Sequence, residues 1–370
     1  MSPAAAPADS GGMEQLLATD AVADATKLVL GGATVGVVFG YCAQQSRFCL
    51  RAACLEFWGG RLGGKVTVWL IVFGTALLCV QLLMATGRLH AQDVRQLAMA
   101  GSLSGAIAGG LLFGAGMVLA RGCASRLLVL SATGNVRALV AGLVVTVAAQ
   151  ASLSGVLSPL REALDRLWVV GPGIRDMALH LPDGAGVGLG LGCVALAGSL
   201  AWRNRVGPWT LVMAAGVGLS VALGWAFTAA LSRLSFEPVT VGSVTFTGPS
   251  ADTLMALIVR PDVVLNFGIG LVPGVFAGSL AAALLHREFR LQAFDAQSGT
   301  VRYLVGAVMM GFGGMAAGGC AVGAGVTGGS VLSLTAWVAL LAMWVGAGLA
   351  GALLDRPLGA GAGRASASAP

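Results

Sequence analysis

The chain of 370 residues is 56% hydrophobic and only 10% charged, with a mean hydropathy of +0.86. Soluble domains carry about 25% charged residues, so this composition excludes an ordinary soluble protein and indicates one that crosses a membrane several times. The net charge of +6 arises from Lys and Arg between the apolar runs, where it reports orientation in the bilayer and gives no support for nucleic-acid binding.

Residues 1–26 precede the first apolar run and predict a disordered tail with no cleaved signal peptide, because they are acidic and hold no basic residue upstream of that run. The Gly, Ala and Ser-rich residues 358–370 predict a second disordered tail. Between the tails, about 20 apolar residues are needed for each span. Nine runs qualify: about 27–45, 66–86, 97–119, 138–158, 185–202, 208–231, 263–285, 302–318 and 334–354.

The first span ends in a polar run, Gln44 to Arg47, and Cys49 follows it. Residues 50–58 are amphipathic and only half as long as a span, and Gly59 and Gly60 come next. This pattern predicts a short surface or re-entrant helix after Cys49.

Two spans carry a glycine at every fourth position, a ridge that lets helices approach closely in lipid. The ridges are Gly101, Gly105 and Gly109 in the third span, and Gly270, Gly274 and Gly278 in the seventh. We interpret them as a pair that faces each other in a tightly packed centre.

The third span leads into Gly114 to Cys123, and the eighth into Gly311 to Cys320; both segments read G-x-G-x5-G-C. About ten small residues follow each cysteine before the next apolar run. Because the same cysteine-bearing break occurs twice in the sequence, we predict that the two breaks together form one site.

The segments after the connecting span repeat the order of those before it. We predict a first membrane repeat at 27–160, an extracytoplasmic loop and a connecting span at 161–205, and a second repeat at 206–357. Four spans, one connector and four spans place equivalent points five crossings apart, so the second repeat is expected to be inverted relative to the first. Transporters of this type bind substrate near the bilayer midplane on discontinuous helices.

Most Lys and Arg residues fall on the side that holds the segments 46–65, 121–137, 203–205 and 286–302. The positive-inside rule therefore predicts a cytoplasmic C-terminus and an N-terminus outside.

The chemistry expected at the breaks is anion binding. Gly122 and Gly319 are expected to let the backbone turn, and the next half-helix offers free N–H groups and a positive dipole end. Arg121 and Arg126 flank Cys123, and Arg121 is the stronger candidate to attract an anion because it adjoins the break. Since a thiol is soft and polarisable, it suits a ligand that carries a soft sulfur atom.

Three stretches resemble the YeeE/YedE sulfur-transport family: Gly114 to Ser125 with Gly134 and Asn135, Gly318 to Ser330, and Ser46 to Cys49. The resemblance extends over about 30–355. It implies an all-α, hourglass-like inner-membrane protein with nine spans, re-entrant half-helices and an inverted 4+1+4 repeat. It also implies that thiosulfate passes along a file of cysteines, here Cys49, Cys123 and Cys320. Further candidates for the pathway are these: Cys42, Arg47, Ser125, Arg126 and Asn135. Arg121 and Arg126 depart from the family pattern, in which small residues are more common around this cysteine.

Cys54, Cys79 and Cys193 are interpreted as packing residues, because Cys often serves as a small buried hydrophobe. The three His residues stand alone at span ends, so neither a metal site nor a cofactor is predicted. The glycines at the breaks follow no strand and precede no Lys-Ser or Lys-Thr pair, so they do not predict a phosphate-binding loop.

The sequence thus predicts a non-enzymatic permease for thiosulfate or a related sulfur anion, in the lipid bilayer, with a cytoplasmic sulfur-accepting protein as a possible partner. Three alternatives stay open: transport of another sulfur or selenium species, a membrane sulfurtransferase that forms a Cys persulfide, and a scaffold subunit without transport. The absence of a His that could act as acid or base disfavours the sulfurtransferase. The duplicated polar breaks disfavour the scaffold.

Overall fold

The computed structural model describes residues 24–182, 184–235, 239–258, 265–292 and 299–354. Nine helical segments of this part are long and apolar enough to cross a bilayer, and the prediction of an all-α protein that crosses the membrane several times is confirmed. Their long helices are α1 Asp24–Ser46, α2 Gly64–Ala85, α3 Leu103–Leu119, α4 Val136–Ser154, α5 Ala185–Arg203, α6 Pro208–Leu234, α7 Phe267–Leu285, α8 Thr300–Ala316 and α9 Leu334–Leu354.

Among the shorter helices, four follow α1, α3, α6 and α8, and we number these four in chain order. The first is Leu50–Trp58 and the second is Ala124–Ala132. The third is Thr247–Ile258. The fourth, Ala321–Gly328, is a π-helix. This conformation is rare in proteins, and where it occurs it is often found at a functional site. One short helix therefore follows α1, α3, α6 and α8.

The two glycine ridges do not face each other, and this prediction was wrong. A side chain at Gly270, Gly274 or Gly278 would meet the backbone of α1, so the ridge on α7 packs against α1. In the third span Gly105 and Gly109 pack instead on α8, against Ala316 and Gly313, and Gly101 lies before the helix. Tertiary packing decides which helix lies against each ridge, and the glycine spacing alone does not identify that helix.

Equivalent helices of the two predicted repeats run in opposite directions. Along α1, Gly31 meets Phe227 and Cys42 meets Gly216, so α1 and α6 are antiparallel. Helices α3 and α8 also cross in opposite directions, since Gly105 meets Ala316 and Gly116 meets Gly306. An inverted repeat requires this arrangement, and the repeat boundaries stay a prediction.

Loops that the sequence assigned to one side of the membrane contact each other. Arg47 approaches Glu288, the Gln292 carbonyl accepts from the Val136 N–H, and Asn204 donates to the Leu62 carbonyl. We call this end of the molecule face A. At the opposite end, face B, Arg233 donates to the Gly87 carbonyl and Arg175 to that of Met99.

The segment at 155–182 on face B has more regular structure than the predicted loop. It holds the helix Ser158–Arg166, the strand Val169–Val170 paired antiparallel with Gly101–Ser102, the one-turn helix Pro172–Arg175 and the 3₁₀ turn Met177–His180. The Met177 N–H donates to the Leu332 carbonyl, which ties this segment to the loop before α9. The predicted tails lie outside the described residues, except that residues 24–26 already belong to α1.

Candidate functional site

The three predicted pathway cysteines share one structural position. Cys49, Cys123 and Cys320 are the N-cap residues of the first, second and fourth short helices. The Cys320 sulfur accepts a hydrogen bond from the Gly323 N–H at 3.4 Å. Cys49 and Cys123 occupy the same position without a side-chain cap hydrogen bond. Each thiol therefore stands where a helix presents its unpaired N–H groups and its positive dipole end.

Two of these cysteines meet although they are far apart in the sequence. The thiols of Cys49 and Cys123 lie close enough to interact with each other. The Ser125 hydroxyl lies 3.4 Å from the Cys123 sulfur, and Cys123 and Ser125 are both buried. All seven cysteines of the chain are free thiols. The structure thus brings three predicted site residues together at one point.

Arg51 interacts electrostatically with Cys49, and Arg126 is the cation that acts on both thiols. Arg126 lies in the first turn of the second short helix, where it interacts electrostatically with Cys49 and Cys123. Its guanidinium also donates to Gln44 Oε1 at 3.4 Å, and Gln44 Nε2 donates to Glu288 at 2.8 Å. Arg47 approaches the same carboxylate at 3.5 Å. We define the thiol site as Cys49, Cys123, Ser125 and Arg126, with Gln44 and Glu288 behind Arg126.

Gln44 and Glu288 were not among the predicted site residues. Gln44 belongs to the polar run at the end of α1, which the sequence did mark as too polar for lipid, whereas Glu288 follows α7 like any other loop residue. Their separation of 244 residues leaves no local signal that could join them.

The structure places Arg121, the stronger candidate for anion attraction, outside the thiol site. Its side chain is exposed and its guanidinium stacks over the Tyr303 ring of α8 at 5.8 Å from the centroid. Arg121 takes a left-handed conformation just before the helix that carries Arg126, and its role in anion attraction stays a prediction.

The two Gly-Cys breaks turn differently, and the left-handed residue of the first break is Arg121 rather than Gly122. Arg121 itself takes the left-handed conformation, with φ of 55°, and the Gly122 N–H closes the turn on the Met117 carbonyl at 3.0 Å. In the second break Gly318 takes that conformation, with φ of 77°, and the Gly319 N–H bonds to the Gly314 carbonyl at 2.8 Å. An L-residue with a side chain pays about 1 kcal/mol or more there, and glycine does not.

Cys320 lies in a separate, buried environment. The Thr245 hydroxyl lies against Gly323, in the first turn after Cys320. The Thr327 hydroxyl donates to the Val244 carbonyl at 2.6 Å and so fixes the extended segment 239–246 along the π-helix. The second and fourth short helices are in contact, which brings the two breaks together inside the molecule.

The remaining candidates have contacts of a structural kind. Asn135 caps α4, with Oδ1 accepting from the Ala138 N–H at 3.0 Å and Nδ2 donating to Gln292 at 2.9 Å. Cys42 packs against Gly216 of α6. Cys54 is fully buried among apolar neighbours, and Cys193 packs against Gly74 of α2.

A cavity of about 480 Å³ opens on face B, remote from the loops that hold Arg47 and Glu288. Its lining includes His90, Gln92 and Asp176. The Asp176 backbone pairs with Ser333 in an isolated antiparallel bridge, so the cavity adjoins the loop that follows the fourth short helix.

The thiol site offers two kinds of group to a ligand. The first-turn N–H groups of two short helices and the Arg126 guanidinium attract negative charge, as helix N-termini and arginine generally do. The neighbouring thiols offer soft, polarisable sulfur. This combination suits a small anion that carries both oxygen and sulfur.

Comparison with known proteins agrees with this chemistry. A family model described as sulphur transport matches residues 45–349. The thiosulfate transporter TsuA of Escherichia coli is 27% identical over 350 residues, covering 86% of this chain and 92% of that protein. The thiosulfate transporter TsuA of Spirochaeta thermophila is 28% identical over 341 residues, covering 84% of this chain and 94% of that protein.

Proposed function

Because the chain belongs to the sulphur transport family, we propose that this membrane protein imports thiosulfate or a closely related sulfur-containing anion. The observation that carries the proposal is the pair of neighbouring N-cap thiols, Cys49 and Cys123, beside the Arg126 guanidinium. Two relatives that align over most of the chain are named as thiosulfate transporters, which supports the choice of thiosulfate.

In the proposed mechanism the anion moves between the two breaks. Arg126 and the N–H groups of the second short helix attract its charge, and the thiols of Cys49, Cys123 and Cys320 make S–H···S contacts with its outer sulfur. These contacts are individually weak. Weak successive contacts let the anion pass on without being trapped at one of them.

The proposal includes an inverted 4+1+4 repeat with short helices that enter the membrane from both faces. The antiparallel directions of α1 and α6, and of α3 and α8, support it. Face A carries most of the Lys and Arg residues and is assigned to the cytoplasm of a bacterial inner membrane. Face B, with its cavity of about 480 Å³, is then the side of entry. A cytoplasmic sulfur-accepting protein would receive the transported anion at face A.

The test is uptake of thiosulfate labelled at its outer sulfur, in cells that lack other sulfur importers. Cys123→Ser and Cys320→Ser are each expected to lower uptake at least tenfold at equal amounts of protein in the membrane. Cys193→Ser is the matched control, since Cys193 lies on α5 against Gly74, away from the breaks. Full uptake by either break variant would refute the cysteine pathway.

The same experiment separates transport from sulfur transfer. In a sulfurtransferase, a Cys sulfur would attack the outer sulfur of thiosulfate, keep it as a persulfide and release sulfite. Transport predicts that the labelled outer sulfur is recovered inside the cell as intact thiosulfate and that no stoichiometric persulfide forms. A persulfide on Cys49 or Cys123, detected by mass spectrometry together with released sulfite, would favour the enzymatic alternative.

A further inference from the structure

Thr247, the first residue of the third short helix, holds a buried hydroxyl without a partner. Its exposed fraction is 1%, and its Oγ1 makes no hydrogen bond among the described residues. Buried hydroxyl groups in proteins are almost always paired, because leaving one unpaired costs the hydration that it had in the unfolded chain. An unpaired group of this kind calls for a ligand or a water molecule.

On one side Thr247 touches the turn that carries Cys320. Its side chain packs directly on Gly314 of α8, where an added Cβ would lie 3.1 Å from the Thr247 hydroxyl. The Gly314 carbonyl is the acceptor for the Gly319 N–H, the residue before Cys320. Thr247 therefore lies at the base of the second Gly-Cys break.

On another side Thr247 borders a cavity of about 180 Å³. This cavity also reaches Ala124, the residue after Cys123, and it lies between the second and third short helices. Thr247 is thus in contact with the turn of one break and with a cavity that reaches the residue after the cysteine of the other.

The backbone around Thr247 is held firmly. Phe246 packs on Phe39 of α1 with ring centroids 5.1 Å apart, and the Val244 carbonyl accepts from Thr327 of the π-helix. Thr245, two residues before Thr247, lies against Gly323 on the other side of the Cys320 turn. The hydroxyl groups of Thr245 and Thr247 therefore lie near the second break. At the first break, the neighbouring side chain is the Cys49 thiol.

We propose that Thr247 is an oxyanion-binding residue of the transport pathway, situated between Cys123 and Cys320. This inference rests on the proposed function and extends it to the oxygen atoms of the substrate. Thiol groups suit the outer sulfur of thiosulfate, and a hydroxyl donor suits its oxygens. Thr247 then selects anions that carry oxygen over those made of sulfur alone, such as hydrosulfide.

The test compares Thr247→Val with Thr247→Ser in the purified, full-length protein in lipid nanodiscs and in proteoliposomes. Valine keeps the shape of threonine and removes the hydroxyl, and serine restores it. Thr146→Val is the matched control, because Thr146 borders the same cavity but its hydroxyl already donates to the Gly142 carbonyl at 2.9 Å.

Thr247→Val is expected to raise the KM for thiosulfate about tenfold, the size of one lost hydrogen bond to a charged group, with a small change in maximal rate. Thr247→Ser is expected to stay within about twofold of the intact protein, as is Thr146→Val. Competition by sulfate should weaken in Thr247→Val, and competition by hydrosulfide should not change.

An unchanged KM in Thr247→Val, a loss that serine does not restore, or an equal loss of hydrosulfide competition would overturn the proposal. If the intact protein imports no thiosulfate, the proposed function fails, and the binding of sulfate and sulfite to the intact protein and to Thr247→Val decides the question for Thr247. Equal affinities of the two proteins, or no oxyanion binding at all, would then refute its role.

Discussion

The guanidinium of Arg121 lies over the ring of Tyr303, 5.8 Å from its centroid, at the point where α3 ends and α8 begins its second turn. In this pairing the exposed side chain of Arg121, just beyond the end of α3, contacts a buried tyrosine ring of α8. Arg126, five residues later, is the one that faces the thiols. The two arginines therefore have different expected roles, which substitution can separate.

Arg121→Gly is expected to leave thiosulfate uptake within about twofold of the intact protein. Glycine removes a left-handed strain of about 1 kcal/mol, and the lost cation–π contact is worth about 0.5–1 kcal/mol at an exposed site. Thermal unfolding should therefore change little. Arg121→Ala keeps the strain and loses the contact, so it should unfold at a lower temperature than Arg121→Gly. A tenfold loss of uptake in Arg121→Gly would return this residue to the pathway.

Arg126→Gln is expected to raise the KM for thiosulfate about tenfold or more, since a lost hydrogen bond between the guanidinium and the charged substrate costs about 1.5–3 kcal/mol. The matched variant Arg121→Gln should keep its KM, because that guanidinium stands over Tyr303. Uptake kinetics at two ionic strengths check both variants, and the intact protein should show the stronger dependence on salt. Similar kinetics for the two variants would contradict the assignment of Arg126.

Gly109→Ala is expected to destabilise the crossing of α3 and α8. An added Cβ would lie 2.5 Å from the Ala317 nitrogen and 2.6 Å from the Gly313 carbonyl oxygen, so the helices must separate. Such overpacking costs about 1–3 kcal/mol. Gly142→Ala is the control, because nothing lies within 4 Å of its added Cβ and alanine favours the helix. Detergent-solubilised protein followed by size-exclusion chromatography after heating should show a lower midpoint for Gly109→Ala alone.

The stability of the segment on face B is expected to depend on pH through Asp165. Burial raises the pKa of this carboxyl, and the Arg161 ion pair at 2.9 Å opposes the shift only in part. Because the folded-state pKa exceeds the unfolded value of about 3.9, Asp165 stabilises the fold below that value. This contribution is lost as the pH rises through the folded-state pKa.

Asp165→Asn removes the titrating group and should therefore gain stability relative to the intact protein as the pH rises from 4 towards 7. Unfolding midpoints across this range, with Glu162→Gln as the exposed control in the same helix, measure the difference. A difference that shrinks with rising pH would show that the ion pair with Arg161 dominates.

Local patterns were enough to predict much of this fold. The apolar runs predicted all nine spans, because any segment that crosses a bilayer must be apolar along its whole length. Residues 50–58 and 124–131 were expected as short helices, since each is too short to span and lies between a polar or glycine-rich break and the next apolar run. Cys123 and Cys320 were chosen for their place at the breaks and Cys49 through the family resemblance, and each proved to be an N-cap residue.

The partners across the molecule were beyond such patterns. The glycine spacing of α3 and α7 correctly predicted that these helices approach a neighbour closely. It predicted the wrong neighbours, because a ridge of small residues fits the backbone of any helix. The unpaired hydroxyl of Thr247 had no signal at all, because an isolated threonine at the start of a helix looks like an ordinary cap.

The amino-acid sequence by itself determined the apolar spans, the breaks that interrupt them and the type of residue at each break, because these depend on the composition of neighbouring residues and on the bilayer. Only the tertiary structure decided that Cys49 meets Cys123, that Arg126 and not Arg121 accompanies them, and that Gln44 reaches Glu288 across 244 residues. A turn of one residue at the end of a helix redirects every side chain after it, and that rotation is fixed by packing between distant helices.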